Sequence, residues 1–204
     1  MQLYKKLQNQ LQFEHELPFT QDWSAEEDFL LLVKQYCIDF KPTTIVECSS
    51  GLSSIILAKC CEVNNSGHVY SLENAEQYQQ QTKQNLALFS LQKFADVYHA
   101  PLEKITVKQQ QYDWYNISEI KDVKIDLLVI DGPSGFIQKH SRLPALPVLF
   151  EQLADQSCIF LDDAARSDEK EMVEIWLTDY PELTHEYIET RRGCSIIKLN
   201  RARA

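Results

Sequence analysis

Four apolar runs in this chain each stop on an acidic or small polar residue. Ile45-Val46-Glu47-Cys48-Ser49-Ser50-Gly51 ends the first and Val69-Tyr70-Ser71-Leu72-Glu73 the second. Asp126-Leu127-Leu128-Val129-Ile130-Asp131-Gly132-Pro133 ends the third, and Cys158-Ile159-Phe160-Leu161-Asp162-Asp163 the fourth. Short, nearly continuous apolar runs mark strands covered on both faces, which is the situation inside a parallel sheet. Parallel strands deliver their carboxyl ends to one crevice, so four such endings can share one pocket. The expected architecture is a single Rossmann-like α/β domain with helices on both faces of the sheet.

The segments between the runs support that order. Ser24-Ala25-Glu26-Glu27 has the spacing of a capping box, predicting a helix over about 25–39. A strand follows at 44–48 and a helix at 52–61, the strand, tight turn and helix of a nucleotide-binding unit. Further strands are expected at 68–72, 94–98, 125–130 and 157–161, with a helix over 75–89. Residues 101–123 have little periodicity and are assigned a short helix and a loop. A helix after Pro144 is expected to reach about 154, Ser167 to cap the next one, and the last residues to form a strand pair. Residues 1–23 are set apart as an N-terminal extension, leaving 24–204 as the domain.

Charge and cysteine usage narrow the function. Thirty Asp and Glu against 20 Lys and Arg give a formal charge of -10, which disfavours broad attraction to nucleic acid or an anionic membrane. No apolar run reaches membrane-spanning length, and the first residues lack the apolar core of a secretory leader. Six cysteines without paired CxxC spacing point to buried free thiols in a reducing compartment, hence a cytoplasmic protein. A homodimer is a possible state for a chain of this size, although no residue identifies the interface.

Candidate site residues come from the strand ends. Gly51 permits a tight loop against a ligand, but the segment lacks GxGxxG and the P-loop pattern, which weighs against a dinucleotide dehydrogenase and a nucleotide hydrolase. Glu73 is placed to accept both hydroxyls of a ribose, and Glu47 either to receive a cofactor amine or to brace the loop. Asp131, Asp162 and Asp163 could coordinate Mg²⁺, orient a substrate or act as bases. His140 is a second candidate base, Arg142 and Arg166 are candidate partners for a carboxylate or phosphate, and Trp114 and Tyr115 either wall a pocket or pack beneath a loop.

Together with His99-Ala100-Pro101-Leu102, these stretches resemble the class I S-adenosylmethionine-dependent methyltransferases, in particular the small-molecule O-methyltransferase-like branch, over about residues 24–198. The resemblance implies a seven-stranded, mostly parallel sheet with an antiparallel last strand. It also implies a cofactor site at Glu47, Ser49, Gly51, Ser53, Glu73, Ala100 and Asp131. Ser49 stands where the family has its first loop glycine, and a serine fits there if its backbone keeps a negative φ. Asp131, Asp162 and Asp163 look like the metal positions of catechol O-methyltransferase-like relatives, with Asp163 replacing an asparagine.

The expected reaction is methyl transfer from S-adenosylmethionine to oxygen on a small polar substrate, with Asp131, His140, Asp162 and Asp163 as the catalytic candidates. Two alternatives remain at this level: a non-catalytic module that holds the adenosyl cofactor, and an NAD-dependent oxidoreductase built on the same sheet.

Overall fold

The computed structural model describes residues 4–21 and 23–201. The first three residues of the polar start read from sequence lie outside them. The chain runs α1 (Lys5–Gln10), α2 (Glu27–Phe40), β1 (Thr44–Cys48), α3 (Leu52–Asn64), β2 (His68–Glu73), α4 (Glu76–Leu88), β3 (Ala95–His99), β4 (Leu102–Val107) and β5 (Gln110–Tyr115). After a 3₁₀ turn at Ser118–Ile120 come β6 (Ile125–Ile130), α5 (Ala145–Leu149), β7 (Leu153–Leu161), α6 (Ser167–Asp179), β8 (Leu183–Ile188) and β9 (Cys194–Asn200).

Seven strands form one sheet in the order β3-β2-β1-β6-β7-β9-β8. Pairs from β3 through β7 are parallel, whereas β9 runs antiparallel to both β7 and β8. The chain leaves β1 toward β2 on one side and returns to β6 on the other, so the sheet has its topological switch point between β1 and β6. Asp126, which opens β6, accepts hydrogen bonds from the Thr43 and Thr44 amides and the Thr43 hydroxyl, fastening these two central strands at the end remote from the crevice.

Alternation along the strands divides the interior into two cores. Ile45, Val69, Leu127, Val129, Cys158 and Phe160 face a cluster built with α1 to α4. Val46, Leu72, Leu128, Ile130, Ile159 and Leu161 face a second cluster with Trp114, Tyr115, Leu146 and Trp176. Leu7, Leu11 and Phe13 from the N-terminal segment belong to the first core, and the Tyr4 hydroxyl donates to the Ala25 carbonyl at 2.9 Å. All six cysteines are free and buried. Among the described residues, no helix is long and apolar enough to cross a membrane.

Several local expectations are corrected. Residues 101–123 contain a two-stranded antiparallel hairpin, β4–β5, rather than a helix. The Ser24 box does not form: the Ser24 hydroxyl accepts from the Thr20 amide, and the Glu27 carboxylate instead accepts from the Lys6 and Leu7 amides at the start of α1. Ser167 is the first residue of α6 rather than its cap, which is Arg166. The helix after Pro144 ends at Leu149 and becomes a 3₁₀ turn, because strand β7 already begins at Leu153.

Candidate functional site

The β1–α3 connection turns on two residues of positive φ, Ser49 at 136° and Gly51 at 139°. The expected negative φ at Ser49 is therefore not found. A side chain in this region costs on the order of 1–3 kcal/mol, so Ser49 holds a strain that a glycine would not. Its hydroxyl is buried without a hydrogen-bond partner. The turn is fastened by the Ser49 amide, which donates to the Leu72 carbonyl at 3.1 Å, and by the Gly51 amide, which donates to the Ser54 hydroxyl at 3.1 Å.

Glu47 is fully buried beneath this turn. Its Oε2 accepts from Ser54 at 2.5 Å and Ser71 at 2.7 Å, while Oε1 has no partner. Burial pushes its pKa up to about 7, against the opposing pull of the Ser53, Ser54 and Ser71 hydroxyls. Glu73, at the end of β2, accepts from the Ser50 hydroxyl and the Ala75 amide, both at 2.9 Å. Burial raises its pKa as well. Ala100 adjoins it, donating from its amide to the Glu73 carbonyl oxygen at 2.7 Å. Ser50 also meets Thr82 of α4 at 3.1 Å, a contact between helix and loop that sequence spacing did not reveal.

Across the switch point, β6 ends at Asp131 and β7 at Asp162 and Asp163. One oxygen from each carboxylate lies within 4.8 Å of the others. Burial pushes Asp131 up to about 6, although Arg142 pulls the other way. Its side chain keeps 16% of its surface exposed and so remains reachable from the crevice, whereas Asp163 keeps 4%. Asp162 is fully buried and its pKa is well above the usual carboxylate range, burial being the main cause.

Arg142 enters this cluster from the loop after β6. Its Nη1 donates to the Asp162 carbonyl at 2.9 Å; its Nη2 donates to Asp163 Oδ2 at 2.8 Å and Asp131 Oδ1 at 3.3 Å. Burial opposes the charge of Arg142, but Asp131, Asp163 and Glu169 outweigh it and hold the guanidinium pKa above its ordinary value. Arg166 reaches Asp163 Oδ2 from the half-exposed side at 2.9 Å. Glu169, unremarked in the sequence reading, lies 3.8 Å from Arg142 and 3.9 Å from Arg166. Its position in the first turn of α6 was the available signal, since acidic residues favour helix N-termini.

His140 is engaged elsewhere: its Nε2 lies 2.8 Å from Glu171, which also pairs with Lys139. Trp114 and Tyr115 are buried in the second core rather than open to a pocket. Tyr115 does shape the site from below, because a Cβ on Gly132 would stand 2.2 Å from its hydroxyl and 3.2 Å from the Cys48 carbonyl. Any side chain after Asp131 would force the Tyr115 ring out of its place. A groove of about 560 Å³ between β4, α5 and α6 is bounded by Lys108 and Asp179, which pair with each other. It is lined by none of the strand-end carboxylates.

Comparison with known proteins agrees with this fold. The family described as a methyltransferase domain matches residues 46–164, more than half of the chain, from within β1 to just past β7. No curated protein matches. Among solved structures, the SAH-bound methyltransferase PaMTH1 of Podospora anserina is 13% identical with a TM-score of 0.68, covering 95% of this chain and 86% of its own. An O-methyltransferase from Bacillus cereus in complex with SAH is 14% identical with a TM-score of 0.67, covering 97% and 90% respectively. TomG, an O-methyltransferase from Streptomyces achromogenes in complex with SAM, is 11% identical with a TM-score of 0.67, covering 97% and 87%. At such identities the likeness establishes the fold, and the family match supplies membership. The chain belongs to the methyltransferase domain family and has the Rossmann-like fold of the class I methyltransferases.

Proposed function

We propose that the protein transfers a methyl group from S-adenosylmethionine to an oxygen of a small polar molecule. The observation that carries this reading is the pairing of two unlike polar groups across the β1–β6 switch point. On one side lie Glu73, the Ser49–Gly51 turn and Ala100; on the other lies the partly open Asp131 carboxylate. The ligands named in the three solved structures above, SAM or SAH, support the choice of cofactor.

The donor groups on the first side suit that molecule. Glu73 retains free lone pairs beside its bonds to Ser50 and Ala75 and can accept ribose hydroxyls. Ser49 Oγ in the loop and Glu47 Oε1 at the end of β1 are buried polar atoms without partners, which a polar ligand end or a water seated at the turn would satisfy. Gly51 and Ser53 complete the turn, and Ala100 closes the base side against Glu73. The cofactor supplies an electrophilic methyl group on a good leaving group, so the chain must mainly align the acceptor and exclude water. Asp131 accepts the acceptor's hydroxyl proton; Asp162 and Asp163 set the position of the surrounding backbone and of Arg142. The free, buried thiols fit a reducing compartment, and we place the protein in the cytoplasm.

Calorimetric titration of the protein with S-adenosylmethionine, S-adenosylhomocysteine and NAD tests the cofactor. Selective binding of the two adenosyl ligands is expected, and preferential NAD binding would reject the reading. Acceptor-dependent release of S-adenosylhomocysteine then separates an enzyme from a module that only holds the cofactor.

A further inference from the structure

We infer that Arg142 is the resident cation of the Asp131–Asp162–Asp163 cluster and that this site operates without a divalent metal ion. Three carboxylates with oxygens within 4.8 Å of one another form a donor set that a hard dication such as Mg²⁺ or Mn²⁺ would accept. Here two of the three carboxylates already hold a resident cation, while Asp162 Oδ2 and Asp163 Oδ1 are buried without a partner. Arg142 Nη2 lies between Asp163 Oδ2 and Asp131 Oδ1, at 2.8 and 3.3 Å, while Nη1 is held by the Asp162 carbonyl oxygen at 2.9 Å. An ion bound to those same two carboxylate oxygens, at about 2 Å from each, would stand against a second cation competing for the same lone pairs.

The arginine has no easy way to yield. A guanidinium does not deprotonate in the accessible pH range, so the positive charge cannot be discharged to admit an ion. Its side chain is 3% exposed, and the next residue is fastened by the Trp176 indole, which donates to the Leu143 carbonyl at 2.9 Å. Withdrawing the guanidinium would leave the Asp163 carboxylate buried with only the half-exposed Arg166 beside it. Arg142 therefore supplies in fixed form the charge and the carboxylate spacing that an exchangeable ion would otherwise provide. It is a positioning residue, acting on substrate through Asp131.

The consequence for the acceptor rests on the methyl-transfer reading. Without an ion to chelate, the acceptor needs no pair of adjacent oxygens and is held by hydrogen bonds, chiefly to Asp131. The metal inference itself concerns the unliganded protein and can fail or stand independently.

The test is titration of the full chain with MnCl₂, read by calorimetry and by the electron paramagnetic resonance signal of free Mn²⁺, on wild type, R142K and R142M. Wild type and R142K, which keep a cation in the cluster, are expected to show no saturable site. R142M is expected to gain one, with stoichiometric Mn²⁺ uptake that adding D163N removes. A role confined to packing would not create a metal site in one variant and withhold it in the charge-preserving one. Saturable Mn²⁺ binding by wild type that D163N abolishes would overturn the inference, as would a folded R142M that gains none. Should R142M fail to fold, the wild-type and R142K titrations decide the question. Titrating the same wild-type sample with S-adenosylmethionine reads the cofactor assignment separately.

Discussion

The two halves of the crevice bury carboxylates by opposite means. At the β1–β2 ends, Glu47 and Glu73 have hydroxyl and amide partners and no cation within hydrogen-bond reach among the described residues; Glu47 takes up a proton near neutrality. At the β6–β7 ends, Asp131 and Asp163 are held by Arg142, with Arg166 adding a second charge. A site for a cationic sulfonium cofactor gains from acidic groups that no fixed cation has already satisfied. A site that must place a base gains from a rigid charge partner. On the methyl-transfer reading, one sheet edge serves two ligands without a separate domain for each.

Four perturbations would break or sharpen this contrast. Removing the proposed base, Asp131→Ala, should lower turnover by about 10²–10⁴-fold with little change in S-adenosylmethionine affinity. In wild type the rate should rise with pH through about 6 as Asp131 ionises, and that limb should vanish in the variant; equal losses in turnover and cofactor affinity would sink the assignment. Arg142→Met, which strands buried carboxylates, should cost about 3–5 kcal/mol in urea unfolding, the usual penalty for breaking a buried pair from one side.

Glu47→Gln tests the uncharged half. The folded state binds more protons than the unfolded one between the ordinary 4.5 and about 7, so Glu47 makes stability fall as pH rises through that window. The full effect is about 3 kcal/mol, and the Gln variant should show a flatter profile and greater stability at pH 8. An unchanged profile would mean that Glu47 is not the group responsible. Smallest, Ser49→Gly should raise stability by about 1 kcal/mol by relieving the positive φ, measured as a higher Tm; a lower Tm would show that the serine side chain contributes more than its strain costs.

The strand ends were legible because β1, β2, β6 and β7 are buried on both faces and advertise themselves as apolar runs. That pattern alone puts Glu47, Glu73 and Asp131 at the carboxyl ends of neighbouring strands. The β4–β5 hairpin escaped because its turn is made by Lys108 and Gln109 at φ 47° and 69°, neither of them the Gly or Asn that normally signals such a turn. Its first strand is also mostly solvent-facing, with no apolar alternation to read. Arg142 was visible as a charge in a loop, yet nothing local says that a loop arginine will be buried. Only the return of β7 beside β6 brings Asp162 and Asp163 to meet it. The pairing of His140 with Glu171 was hidden for the mirror reason, since that partner lies 31 residues away on α6.

The loop carrying Arg142 is tied at its feet: the Ser141 hydroxyl donates to the Pro133 carbonyl at 3.1 Å. Farther out, Gln138 bonds both the amide and the carbonyl of Asp113, leaving residues 134–137 as a short tip with Phe136 95% exposed. Among the described residues the tip touches the charged cluster at its edge, where Gly135 passes beside Arg166. Those two ties leave Asp131 and Arg142 anchored independently of Phe136, so a change confined to that exposed side chain alters the rim without moving the carboxylates underneath.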